Sequence, residues 1–132
     1  MIIYLDIDGV LIHDSLQKYQ QIADGVVEFL KHITDNHDCY WLTTHCKGDT
    51  IHTMEYLGAR LPEEAMQYAR LLKPTNWNTW KTEAIDFSKD LRWIDDDVFE
   101  AELKDLRDHN CEDKLIKIDL NKYPNQLRQI LL

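Results

Sequence analysis

Only three cysteines occur in the 132 residues, Cys39, Cys46 and Cys111, and no two of them form a CxxC pair. An odd, scattered set argues against a disulfide framework and for reduced thiols, so a cytoplasmic setting is expected. With four glycines and three prolines there is no linker-like or collagen-like tract. No apolar run approaches the roughly 20 residues that span a bilayer, and no membrane partner is expected. The first residues lack a basic stretch and turn acidic by Asp6, unlike a secretory signal. Positive charge is scarce: 15 Lys and Arg face 24 Asp and Glu, a net charge of −9. Such a chain repels phosphate backbones, which argues against extensive nucleic-acid binding. The same balance suits a site that concentrates a divalent cation, and it leaves room for recognition of one nucleic-acid end in a small pocket.

What is present describes an ordinary globular chain, 44% hydrophobic and 30% charged. Its length predicts one domain over residues 1–132, burying roughly 65–70% of the surface of the unfolded chain. Strand-like and helix-like segments alternate. "IIYLDI" reads as a strand, "GVVEFLKHI" behind Asp24 as a capped helix, and "CYWLTT" as a second strand. A helix is expected from about Asp49 to Tyr56, "LPEEAMQYARLL" is open between helix and strand, and "NTWKTEAIDF" reads as helix. "LRWID" is a strand, "FEAELKDLRDH" a helix, "KLIKIDL" a last strand, and a short helix follows Pro124. Strands joined by helices imply βαβ units, hence a doubly wound, Rossmann-like parallel α/β sheet of about five strands with helices on both faces.

The first strand contains a conflict. "IIYLDIDGVLI" is apolar enough to be buried, yet Asp6 and Asp8 stand within it. An unpaired buried carboxylate is costly, so two at i and i+2 call for a chemical reason. Three strands end alike, in "YLD", "WLT" and "WID", each with an aromatic residue two places before a polar one. If neighbours, they place Tyr4, Trp41 and Trp93 in one buried row, with Asp6, Thr43 and Asp95 in the next. Carboxyl ends of strands are where open parallel sheets bind ligands.

"YLDIDGVL" resembles the first motif of the haloacid dehalogenase (HAD) superfamily, an apolar strand followed by DxDG. Three further motifs occur in the expected order: "CYWLTT", Lys81 in "WKTEAIDF", and "LRWIDDD". The resemblance implies a Mg²⁺-dependent phosphohydrolase with Asp6 as nucleophile and Asp8 as general acid and base. It implies Thr43, or alternatively Thr44, as the hydroxyl that contacts phosphate. Lys81 would balance the carboxylates and the phosphoryl charge. It also implies Mg²⁺ held by Asp6, the Asp8 carbonyl and Asp95, with Asp96 as ligand or neighbour, the extra acid leaving that choice open. Hard oxygen ligands of this kind suit Mg²⁺. An acid at Asp8 points to phosphatase or phosphotransferase chemistry, since the dehalogenases lack it and the transport ATPases carry Thr. Aspartyl-phosphate formation divides one difficult step into two.

The stretches from Asp6 to Thr43 and from Thr44 to Lys81 are too short for a large inserted cap. A capless member with an open site and a phosphorylated, large substrate is expected. His45 and Cys46 face the expected pocket and are candidates for substrate contact; with His52 they lack zinc-ligand spacing. His13 lies in the flap beyond the first motif. Trp77 and Trp80 either stack on substrate or pack the loop on the third helix. Asp97 reads as a helix cap, and Glu100, Glu102, Asp105 and Asp108 as a solvated helix face. The alternative function is a phospho-receiver-like regulatory module, which also clusters acids, Thr and Lys on a doubly wound sheet; the order of the acids here favours the hydrolase.

Overall fold

The computed structural model describes residues 1–15 and 19–132. Four parallel strands form the main sheet: β1 (Ile2–Leu5), β4 (Asp38–Trp41), β5 (Leu91–Asp95) and β6 (Leu115–Lys117), in the order β4-β1-β5-β6. A single parallel rung from Tyr40 to Lys73 adds a vestigial fifth member outside β4. Trp41 N–H donates to the Lys73 carbonyl and Lys73 N–H to the Cys39 carbonyl. β2 (Ile12–Asp14) and β3 (Gln20–Ile22) make a small antiparallel flap beside this sheet.

The helices are α1 (Val26–Asn36), α2 (Ile51–Gly58), α3 (Glu63–Ala69), α4 (Glu100–Asp108) and α5 (Gln126–Gln129). The ambiguous "LPEEAMQYARLL" is thus helical, its Ala65, Met66 and Ala69 buried at i, i+1 and i+4. α1 begins at Gly25, whose φ of 79° is left-handed, while Asp24 turns outward to a two-pronged ion pair with Arg128. Strand side chains alternate between two cores. Ile3, Leu5, Trp41 and Ile94 join Leu30 and Ile33 of α1 and Ala65 of α3 on one face. Tyr4, Leu91 and Trp93 join Leu106 of α4 on the other. A sheet covered on both sides explains why its strands are so continuously apolar.

Register corrects one expectation. Tyr4 lies opposite Tyr40 and Trp93, and Leu5 opposite Trp41 and Ile94. The aromatic row is therefore Tyr40–Tyr4–Trp93, and Trp41 belongs to the opposite core. With a side-chain period of two, a shift of one residue exchanges the faces, and Thr43 moves off the Asp6 face with it.

The segment "NTWKTEAIDF" forms only one 3-10 turn, Lys81–Ala84. Its side chains are taken by non-helical partners. The Glu83 carboxylate accepts the N–H groups of Asn78, Thr79 and Trp80, and the Thr82 hydroxyl donates to Asp105. Among the described residues, the flap stands between β1 and α1, and α2 and α3 stand between β4 and Lys81.

Candidate active site

From β1 the chain passes to β4 on one side and later returns to β5 on the other, so the order reverses between β1 and β5. This is the topological switch point, where a crevice opens at the carboxyl ends of the strands. Two residues beyond the Tyr4–Trp93 pair, Asp6 and Asp95 lie at that crevice, and Asp6 N–H still donates to the Ile94 carbonyl at 3.0 Å. Both are buried, Asp6 at 6% exposure and Asp95 at 0%.

Lys81 enters from its 3-10 turn. Its Nζ donates to Asp95 Oδ2 at 2.7 Å and lies 3.4 Å from Asp6 Oδ1. Asp95 also accepts from Trp93 Nε1 at 3.2 Å and from the Asp97 backbone N–H at 3.1 Å. Asp97 is thus part of the turn that holds Asp95; the residue preceding α4 as its cap is Phe99. Asp96 completes a group in which Asp6, Asp95 and Asp96 each offer an oxygen within 4.8 Å of the others. Both oxygens of Asp95 already accept protein hydrogen bonds, which makes it the anchor of Lys81 and leaves Asp96 freer toward an added ligand.

Three acids and one ammonium leave the cluster short of positive charge. Burial, and then the neighbouring Asp95, push the Asp6 carboxyl well above its ordinary range against the pull of Lys81. Burial and Asp95 likewise raise Asp96 to about 6. Burial pulls the Lys81 ammonium down, but the charges of Asp6 and Asp95 outweigh it and hold it above its usual value. A set of hard oxygen donors with too little positive charge fits a divalent cation such as Mg²⁺.

Asp96 approaches the backbone at Gly9, whose φ is 81°. A Cβ there would fall inside the van der Waals envelope of the Asp96 carboxylate. The glycine of "DIDG" therefore serves a positive φ and a close approach together.

A cleft of about 460 Å³ opens over the cluster, lined by Asp6, Asp8, Thr44, Trp77, Lys81 and Phe99 among others. Thr44 is exposed there. Thr43 is fully buried, and its Oγ1 accepts the His45 backbone N–H at 3.3 Å. Asp8 lies in the cleft apart from the buried cluster. Its Oδ2 is 2.7 Å from His45 Nε2, and its Oδ1 accepts from Tyr56 Oη at 2.6 Å. His45 is thus near the expected pocket but spends its ring on Asp8, while Cys46 is buried, its thiol donating to the Asp49 carbonyl. His13 lies on the far side of Asp96, where it lines an adjoining hollow with Gly9, Lys117 and Lys122. Trp77 is 8% exposed, with the Lys47 ammonium 3.6 Å over its ring, and Trp80 meets Phe99 edge-on. These contacts favour loop packing for Trp77.

Glu102 overturns its assignment to a solvated face. It is 2% exposed, and its carboxylate accepts the Phe99 N–H at the start of α4 and the Lys81 N–H at 2.7 Å. Glu100, exposed, conforms to expectation and pairs with Arg107. The detectable signal for Glu102 was its place three residues into a helix, where a carboxylate reaches back to the first free N–H. Tyr56, which carried no motif, was also missed.

No protein-family model matches the chain, and no curated protein matches it. Among solved structures it is similar to Fcp1, an essential RNA polymerase II CTD phosphatase, at 13% identity and a TM-score of 0.48. That alignment covers 97% of this chain and 46% of the other, so the chain spans less than half the length of that protein. By its own topology, the chain is a doubly wound α/β sheet with a buried carboxylate–lysine cluster at its switch point.

Proposed function

We propose that this chain is a Mg²⁺-dependent phosphomonoesterase of the HAD type, acting through an aspartyl-phosphate. The observation that carries this reading is Asp6: a buried carboxylate at the carboxyl end of a central strand, 3.4 Å from the Lys81 ammonium and at the floor of an open cleft. Asp6 attacks phosphorus, an O–P bond forms, and the ester P–O bond breaks. Asp8 gives its proton to the leaving oxygen. Water then attacks the aspartyl-phosphate, its proton passes to Asp8, and Asp6 is released with inorganic phosphate. Lys81 offsets charge on the phosphoryl oxygens. The Thr44 hydroxyl, exposed in the cleft, is the better placed of the two threonines to bind one of them. Asp6, Asp96 and the Asp8 carbonyl would hold the cation, with Asp95 behind them. When bound, the cation supplies charge neutralisation and orientation of the phosphate.

Among the described residues no large insertion covers the cleft, which supports a phosphate ester carried on a large molecule. Three buried free thiols suit a reducing compartment, in keeping with a cytoplasmic setting. No helix among the described residues is long and apolar enough to cross a membrane.

The direct test is Asp6→Asn assayed on p-nitrophenyl phosphate with Mg²⁺. Turnover should vanish, with circular dichroism and gel-filtration behaviour unchanged, because charge is removed at almost constant volume. Wild-type rates in this variant would eliminate Asp6 as nucleophile.

A further inference from the structure

Asp8 is the exposed member of the site, its side chain 52% accessible, yet it does not float free. Each of its oxygens has its own partner, Tyr56 on one and His45 on the other, at 2.6 and 2.7 Å. Neither partner belongs to the buried group of Asp6, Asp95, Asp96 and Lys81. They come from α2 and from the loop after β4, and they are built against each other. The rings of His45 and Tyr56 stack with centroids 3.7 Å apart at 16°. His52, one helical turn before Tyr56, stacks on His45 from 5.5 Å, with its Nε2 3.4 Å from His45 Nδ1. The short His45–Asp8 contact suits the acid in either of its states: Nε2 accepts when Asp8 carries its proton and donates when Asp8 is ionised.

The supports extend further. The Thr53 hydroxyl donates to the His45 carbonyl at 2.7 Å, tying the loop to α2. The Arg60 guanidinium covers the Tyr56 ring at 3.8 Å, and its Nη1 bonds the Tyr56 carbonyl. His52 and Tyr56 thus occupy successive turns of α2, and Arg60 follows just past its end. The Tyr56 ring also packs against the core. Tyr56 reaches the Asp8 carboxyl directly, and His52 reaches it through His45.

We propose that His45 and Tyr56 form a clamp that positions Asp8 for proton transfer. The proposal rests on the phosphomonoesterase reading above. An alkoxide is a poor leaving group and requires a proton as the P–O bond breaks. A nitrophenolate departs as a stable anion and needs little help. An alkyl ester such as phosphoserine therefore reports on the placement of Asp8, and a nitrophenyl ester largely does not. His45 and Tyr56 act through Asp8 and are positioning residues.

The test compares wild type, Tyr56→Phe, His45→Ala and His45→Gln on p-nitrophenyl phosphate and on phosphoserine, both with Mg²⁺. Tyr56→Phe removes one oxygen and leaves the stack. It should lower kcat on phosphoserine about 10-fold or more, within the range a positioned acid contributes, with KM little changed. On p-nitrophenyl phosphate the loss should stay under about 3-fold. His45→Ala should show the same split, and His45→Gln, which restores a polar group able to donate or accept, should recover part of the phosphoserine rate. Equal losses on both esters, or no loss on phosphoserine, would overturn the clamp while leaving the phosphomonoesterase reading in place. A wild-type chain inert on both would overturn that reading, and the clamp with it.

Discussion

At the residue scale, the tightest constraint is Gly9. Its left-handed backbone alone disfavours any side chain by roughly 1–2 kcal/mol. The carboxylate of Asp96 adds a second penalty, because it occupies the space a Cβ would need. Gly9→Ala should therefore destabilise the fold and also displace Asp96 from the cation-binding group. The expected result is a lower midpoint in urea together with a weakened thermal shift on adding Mg²⁺. A variant that loses stability but keeps the full Mg²⁺ shift would separate Asp96 from the metal. Lys81 and Asp96 were legible only through the motif resemblance, and Asp6 and Asp8 because two carboxylates within an apolar strand announce their cost. Glu102 was not. Four acids share that helix, and although the third helical position marks a residue that can reach back to a free N–H, only the arrival of the Lys81 turn explains why Glu102 is also buried.

At the scale of elements, the Glu102 carboxylate joins α4 to the turn that presents Lys81. Two backbone N–H groups depend on it, those of Phe99 and Lys81. Glu102→Ala leaves both without their acceptor in a largely dry place, a loss of about 1–3 kcal/mol for each such group. Phosphatase turnover should fall beyond what the lost stability explains, because Lys81 loses its backbone tether. Glu102→Gln keeps one acceptor and should fall between Ala and wild type. Chemical denaturation with parallel assays measures both effects; full activity in a folded Glu102→Ala variant would show that Asp6 and Asp95 alone hold Lys81. The alternation of strand and helix was readable from periodicity, as was the apolar face of α1. The 3-10 turn at Lys81 was not, since Thr82 and Glu83 are held by partners that local pattern does not name. A flap was expected from the motif, but its strands of three residues were too short to show a period. The row of aromatics was misread by one position because register depends on pairing, which no single strand carries.

For the whole molecule, the charge imbalance of the site should be visible in stability. Asp6 and Asp96 hold protons more tightly in the folded chain than in the unfolded one. Where the folded state binds more protons, stability falls as pH rises. The metal-free protein should therefore lose stability between about pH 4, the ordinary carboxylate value, and the raised values near 6 and above. Below that window the contribution is fully present; above it, the ionised acids repel one another and it is lost. Melting temperatures in a chelating buffer should decline from pH 5 to pH 7.5, against the usual gain that other paired carboxylates supply. Mg²⁺ binds the folded state and should offset much of the decline, increasingly with concentration. Asp96→Asn should flatten the profile. A metal-free profile already flat in wild type would show that the cluster carries less strain than its burial implies.

The pairing of β1 with β5 also bears on how the molecule comes to be made. Ile2 and Leu91 are partners in the sheet, yet roughly two thirds of the chain lies between them. During synthesis, β1 emerges before β4 and can pair with it on one edge, while its other edge stays bare until β5 has left the ribosome. Parallel contacts at such separation form slowly, since loop closure precedes any return from the contact. An apolar strand edge exposed for that interval is a template for misassembly. Asp6, at the tip of the waiting strand, meets Asp95 and the ammonium of Lys81 in the same event that closes the edge. The carboxylate–lysine cluster is thus absent from every chain in which β1 and β5 have not yet paired, and its first appearance marks the closing of that edge.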